Sequence, residues 1–134
     1  MEVGFPYGKG QVVLDLPDDK LLGVYEPREM PGVPNLRAEV ERALAMPVKS
    51  QPLGDLAQGR RTAAIVVDDV SRSVPNAELL ASIVDEVRAG GVALSDITVV
   101  VATGLHRPLT QPELDATRGG LPVRIISHRA EEEE

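Results

Sequence analysis

The sequence predicts an α/β fold: a mainly parallel sheet with flanking helices, Rossmann-like, preceded by an N-terminal β-hairpin. Three observations predict it. Two apolar, β-branched runs, 62–67 and 97–102, each stop at a loop carrying charge or glycine, as buried parallel strands do. Between them lies the clearest helical pattern in the chain, with Leu79, Leu80, Ile83, Val84 and Val87 on one face. The whole stretch reads as a strand-helix-strand crossover of about 40 residues, the unit from which parallel sheets are built.

The elements follow in order. Residues 12–16 and 21–25 read as the two strands of the hairpin, turned by Pro17, Asp18, Asp19 and Lys20, residue types that suit a type I turn. Residues 26–34 hold three prolines and Gly32 and predict a connection without regular structure. Asn35 suits the cap of a helix over 36–45, where Leu36, Val40, Ala43 and Leu44 share a face and Pro47 ends the pattern. A short helical turn is expected over 53–57, closed by Gly59. Ser73 is the candidate cap of the central helix, Pro75 suits its first turn, and Gly90 and Gly91 stop it. Thr110 and Glu113 form a capping-box pattern for a helix to Arg118, with Gly119 and Gly120 after it. Residues 123–126 read as a last strand.

Composition narrows the functions. A chain of 134 residues fits one domain able to bury its own core. With one Phe, two Tyr and no Trp, that core must be aliphatic. The same scarcity leaves no stacking platforms for single-stranded nucleic acid. A net charge of −7 disfavours nucleic acid and anionic membranes as partners. There is no cysteine, so disulfides and thiolate metal sites are excluded. No apolar run is long enough for a membrane span, and the cytoplasm is the expected location. The glutamates at 131–134 read as a solvated tail.

The candidate site comes from the two strand ends. After 97–102 stand Thr103, Gly104, His106 and Arg107; after 62–67 stand Asp69, Ser71 and Arg72. Ligands in open α/β sheets bind at such strand ends. His106 reads as a general acid or base, or as a loop histidine bonded to a carbonyl. Arg107 reads as a grip for an anion, or as one half of a surface ion pair. Asp69 and Arg72 read as an anion site with hydroxyls from Ser71 and Ser73, or as a local ion pair entering a helix. His128 ends the last strand and reads as structural. The two histidines lack zinc-ligand spacing, so no metal ligands are assigned in this chain. Walker A, dinucleotide-binding and nucleophile-elbow patterns are absent.

These residues resemble the N-terminal part of the nickel-dependent lactate racemase family. Val101-Ala102-Thr103-Gly104-Leu105-His106-Arg107-Pro108 is similar to the family's strand followed by Thr-Gly-x-His-Arg-Pro. Asp69-Val70-Ser71-Arg72-Ser73-Val74-Pro75 resembles its Asp-x-Thr-Arg-Pro-x-Pro, with Ser71 for the usual Thr and Ser73 for the first Pro. Those exchanges keep the hydroxyl and the arginine. The start around Leu16-Pro17-Asp18 is also similar. The specific motifs span residues 65–110.

The resemblance implies a two-domain enzyme using a nickel-pincer nucleotide on a small 2-hydroxy acid. In that chemistry a histidine takes the hydroxyl proton while the carbon-bound hydrogen leaves and returns as hydride. His106 matches one of the family's two acid/base histidines. Asp69 and Arg72 match residues lining its cofactor and substrate site; Ser71, Thr103, Gly104 and Arg107 join them as candidate binding residues. The family's nucleotide-anchoring lysine, nickel-binding histidine and second acid/base histidine come later in its chain. Here the lysines are Lys9, Lys20 and Lys49, all ahead of the first motif. The expectation is therefore an N-terminal domain, residues 1–134, of a longer racemase or epimerase. Its partner would be the C-terminal domain of the same protein or a separate subunit carrying the missing groups. Two other readings stand beside it: a non-catalytic phosphate- or carboxylate-binding module, and a structural domain that docks a partner. The isolated chain is expected to be inactive.

Overall fold

Two ladders of strands organise the chain in the computed structural model, which describes residues 1–130. The expected acidic tail at 131–134 lies outside the described residues. Internal contacts divide the chain into Met1–Gly32 and the portion from Val33 onward.

The first unit is an antiparallel hairpin of β1 (Glu2–Tyr7) and β2 (Gly10–Asp15), paired from Glu2 with Asp15 to Tyr7 with Gly10. This corrects the sequence-based hairpin. Residues 12–16 do supply a strand, but its partner precedes it. Residues 21–25 form no strand, and Asp18–Lys20 is a single helical turn. The physical reason is the two-residue turn at Gly8 and Lys9, where Gly8 has φ +58°. Glycine at the first central position suits the tight II′ turn that matches strand twist. The four-residue Pro-Asp turn competes poorly with that geometry.

The second unit carries the sheet. β3 (Ala63–Asp68), β4 (Ile97–Ala102) and β5 (Arg124–Ser127) run parallel in the order β3-β4-β5. α1 (Leu36–Ala45) begins as expected, with the Asn35 side chain accepting the Ala38 N–H at 3.0 Å. α2 (Leu53–Ala57) is the short turn before β3. α3 (Asn76–Ala89) joins β3 to β4, and α4 (Gln111–Arg118) joins β4 to β5. Ser73 does not cap α3. Pro75 occupies that place with no side-chain bond, and Asn76 instead donates from its amide to the Asp68 carbonyl at 3.0 Å. Pro75 fixes φ at the cap position, and its carbonyl accepts the Leu79 N–H at 3.1 Å as the first bond of the helix. α4 forms the predicted capping box and ends at Gly119, φ +60°.

One face of the sheet is closed by Leu80, Val84 and Val87 of α3, together with Ala57, Val92 and Val123, packed on Ile97 and Val99. Leu80, Val84, Ile97, Val99 and Val101 are fully buried, and all are aliphatic. α2 seats closely on the end of α3. A side-chain carbon at Gly90 would run into the Ala57 methyl and the Gly54 carbonyl oxygen. The other face carries a row formed by Val66, Val100 and Ile126, in register across the three strands. Val66 is 68% exposed there.

Candidate active site

Register brings the two predicted loops together. Asp68 and Ala102, the last residues of β3 and β4, are direct partners across the ladder. The loops that follow therefore leave the same edge of the sheet side by side. There the structure joins Asp69 to His106, 37 residues apart in sequence: His106 Nδ1 lies 2.6 Å from Asp69 Oδ2.

Asp69 is built into a turn. Its carbonyl accepts the Arg72 N–H at 3.1 Å. Its Oδ1 accepts the Ser71 N–H at 3.1 Å and the Ser71 hydroxyl at 2.6 Å. This is the side-chain-to-backbone closure that Asp favours in turns. Oδ2 is left for the imidazole. The carboxylate is 7% exposed, whereas the His106 side chain is 63% exposed. The His106 hydrogen bond, then those from Ser71, hold the Asp69 carboxyl down to about 2. It is therefore an acceptor across the neutral range, and the proton in the shared bond belongs on Nδ1. That fixes the tautomer and leaves Nε2 as the basic nitrogen.

The His106 loop is held at both ends. At its start Thr103 is buried, and its hydroxyl donates to the His128 carbonyl at 2.6 Å. The Thr103 carbonyl accepts the His106 N–H at 2.9 Å, closing a turn over Gly104. Gly104 has φ +57°, a conformation that costs any residue with a Cβ. At its far end the buried Leu109 donates its N–H to the Ser127 hydroxyl at 3.0 Å. His128 contributes through its backbone, its N–H donating to the Val101 carbonyl at 2.9 Å.

The remaining candidates separate by partner. Arg107 forms a two-bond pair with Glu113, at 2.8 and 2.7 Å. Arg72 makes no ion pair with Asp69; among the described residues its guanidinium has no hydrogen-bonding partner. Arg72 lines an open hollow of about 340 Å³ with Asp69, Glu78 and Glu113. A second hollow of about 290 Å³ is bounded by Gly104, His106, Arg107, Pro108 and Arg129. Thr103 sits beneath the loop rather than on its surface, so it shapes the site through backbone bonds. From sequence alone Glu113 reads only as part of a helix cap. The signal that reveals its second partner is a cation three residues before the cap.

The arrangement offers an imidazole oriented by a buried carboxylate, with Arg72 lining a hollow beside that carboxylate. An imidazole held in this way can accept and return a proton. The arrangement does not by itself supply a metal site: among the described residues no three His, Asp or Glu side chains are grouped to hold an ion. Nor is any helix among them long and apolar enough to cross a membrane.

Comparison with known proteins adds an independent line. A model of the lactate racemase N-terminal domain matches residues 7–134. The chain is 33% identical over 119 residues to a lactate racemase of Thermoanaerobacterium thermosaccharolyticum, covering 87% of this chain and 28% of that protein. It is 28% identical over 114 residues to a lactate racemase of Lactiplantibacillus plantarum, covering 84% and 27% respectively. The solved structure of the lactate racemase apoprotein from T. thermosaccharolyticum superposes with a TM-score of 0.76 at 29% identity, over 96% of this chain and 30% of that one. The chain thus spans a little over a quarter of the length of the relatives it matches.

Proposed function

The chain belongs to the lactate racemase N-terminal domain family, and from that footing we propose that it forms the acid/base face of a 2-hydroxy acid racemase or epimerase. The observation that carries the proposal is the 2.6 Å contact between Asp69 and His106 at the shared sheet edge. Asp69 orients the ring and keeps its proton on Nδ1. Nε2, on the exposed side, takes the substrate hydroxyl proton and later gives it back. Arg72, whose guanidinium has no hydrogen-bonding partner among the described residues, takes the substrate carboxylate, its planar fork matching two oxygens. Ser71 is engaged with Asp69 and stiffens the turn from which Arg72 projects. Gly104 and Thr103 set the loop that carries His106.

The nickel-pincer nucleotide that the motifs imply does not fit a site made from this chain alone. No metal-ligand group is present among the described residues, and all three lysines precede the sheet. When bound, that cofactor supplies the acceptor for the carbon-bound hydrogen. The residues described here serve the proton and the carboxylate. The cofactor anchors then belong to further polypeptide, either a C-terminal domain of the same protein or a partner subunit. The row of Val66, Val100 and Ile126, exposed at Val66 and Ile126, supports this, because parallel sheets are ordinarily covered on both faces. A cytoplasmic location is part of the proposal.

The test is a transplant. This chain replaces the matched region of the T. thermosaccharolyticum lactate racemase, and interconversion of D- and L-lactate is followed after cofactor loading. Racemisation by the loaded hybrid is the expected result. A folded, loaded hybrid that leaves both lactate enantiomers unchanged contradicts the proposal.

A further inference from the structure

We propose that Glu113 is a positioning residue for the proton transfer: by clasping Arg107 it fixes the loop that presses His106 against Asp69. The inference rests on the acid/base reading of His106, and it gives Arg107 a strut's role in place of a substrate grip.

The geometry leads there in three steps. Glu113 Oε2 accepts from Arg107 at 2.8 Å, from the Thr110 N–H at 2.8 Å and from the Thr110 hydroxyl at 2.9 Å. Glu113 Oε1 accepts the second Arg107 N–H at 2.7 Å. Both carboxylate oxygens are thus occupied, by donors on either side of Pro108. Arg107 also donates to the Pro108 carbonyl at 3.1 Å, which folds its side chain back along its own loop. The residue next to His106 is therefore tied to α4, an element anchored by the sheet. The clasped residue, Arg107, is the immediate neighbour of His106, so the ring reaches Asp69 with its backbone held from behind as well as by the Thr103 turn. The Glu113 carboxyl, held down to about 2 chiefly by Arg107, stays ionised throughout the neutral range. A substrate carboxylate competing for Arg107 would have to displace a partner already bonded at both oxygens. Among the described residues the Arg72 guanidinium has no hydrogen-bonded partner to be displaced.

A capping role alone for Glu113 makes different predictions, because a cap needs one acceptor and a strut needs the charged fork. Glu113→Gln retains an acceptor for the Thr110 N–H, as capping boxes allow, but loses the ionic pair with Arg107. Arg107→Lys keeps the charge and loses the fork. Thr110→Ala removes a capping side chain and leaves the Arg107 pair. The readout is the ¹⁵N spectrum of the His106 ring in the 134-residue chain, which reports which ring nitrogen carries the proton. The parent is expected to show the proton on Nδ1, bonded to Asp69. In Glu113→Gln and Arg107→Lys that preference is expected to be lost toward that of a free imidazole, while Thr110→Ala keeps it. Glu113→Gln with parental ring signals overturns the proposal. So does a Thr110→Ala spectrum shifted as far as that of Glu113→Gln. The readout needs no activity: a failed racemisation assay counts against the proposed function alone, and an unmoved His106 tautomer counts against the strut alone.

Discussion

Thr103→Val asks what a buried hydroxyl does beneath the His106 loop. Thr103 is 2% exposed, and its hydroxyl donates to the His128 carbonyl at 2.6 Å, tying the end of β4 to the end of β5. Valine has nearly the same shape, so no cavity opens and the cavity contribution drops out. What is lost is one hydrogen bond, with a carbonyl left short of its donor. An unsatisfied buried group costs about 1–3 kcal/mol. His128 is itself exposed, so water relieves part of that, and we expect about 1–2 kcal/mol. For a unit of this size each kcal/mol lowers Tm by roughly 4–8 °C. The expected fall is then about 4–16 °C. Urea unfolding of the 134-residue chain, followed by circular dichroism, measures the change, and the denaturant slope should match the parent. A valine variant as stable as the parent, or more so, would refute the reasoning and return the Thr103 hydroxyl to the list of ligand-binding groups.

Other substitutions probe other links. Leu80→Ala removes a fully buried side chain between α3 and the sheet; we expect a loss of about 2–5 kcal/mol by the same urea assay. Gly104→Ala puts a Cβ into open space but onto a backbone at φ +57°, which predicts a cost of about 1–2 kcal/mol from conformation alone. Asp69→Asn should flatten part of the acid limb of stability. The folded Asp69 carboxyl lies at about 2 against an ordinary 3.8, so the unfolded chain binds more protons between those values. Its contribution is complete above the ordinary value and lost as pH falls through 2. Unfolding curves from pH 5 to pH 2 should show the parent losing stability that the variant has already lost. Calorimetric titration of the isolated chain with nickel should show no submicromolar, stoichiometric binding, since its histidines lack plausible ligand spacing.

Local chemistry made much of this fold legible. The strand Ile97–Ala102, the short helix Leu53–Ala57 and the capping box at Thr110 follow the sequence patterns residue for residue. Each is dictated within a few positions by β-branched runs, a cap or a terminating glycine. Pro17 and the aspartates have the chemistry of a turn, but the hairpin turns at Gly8, whose positive φ suits the tight turn between β1 and β2. Ser73 does not act as the cap because it stands two residues ahead of the cap position, which Pro75 occupies. At the site, adjacency of the two loops follows from parallel strands joined by one helix. The pairing of Asp69 with His106 does not, since it depends on the register that puts Asp68 beside Ala102. Likewise Arg107 and Glu113 stand six apart across a proline, a spacing with no periodic meaning until the loop folds back.

His106 as the base is the claim most directly open to measurement. In the loaded hybrid racemase, kcat for lactate is measured for the parent and for His106→Asn, with cofactor occupancy checked in both. Asparagine keeps polarity and much of the size but cannot take the hydroxyl proton near neutral pH. General acid/base groups contribute about 10²–10⁴-fold, and kcat is predicted to fall by that factor with the fold unchanged. A fully loaded His106→Asn enzyme with near-parental kcat would show that His106 is a loop histidine and not the base.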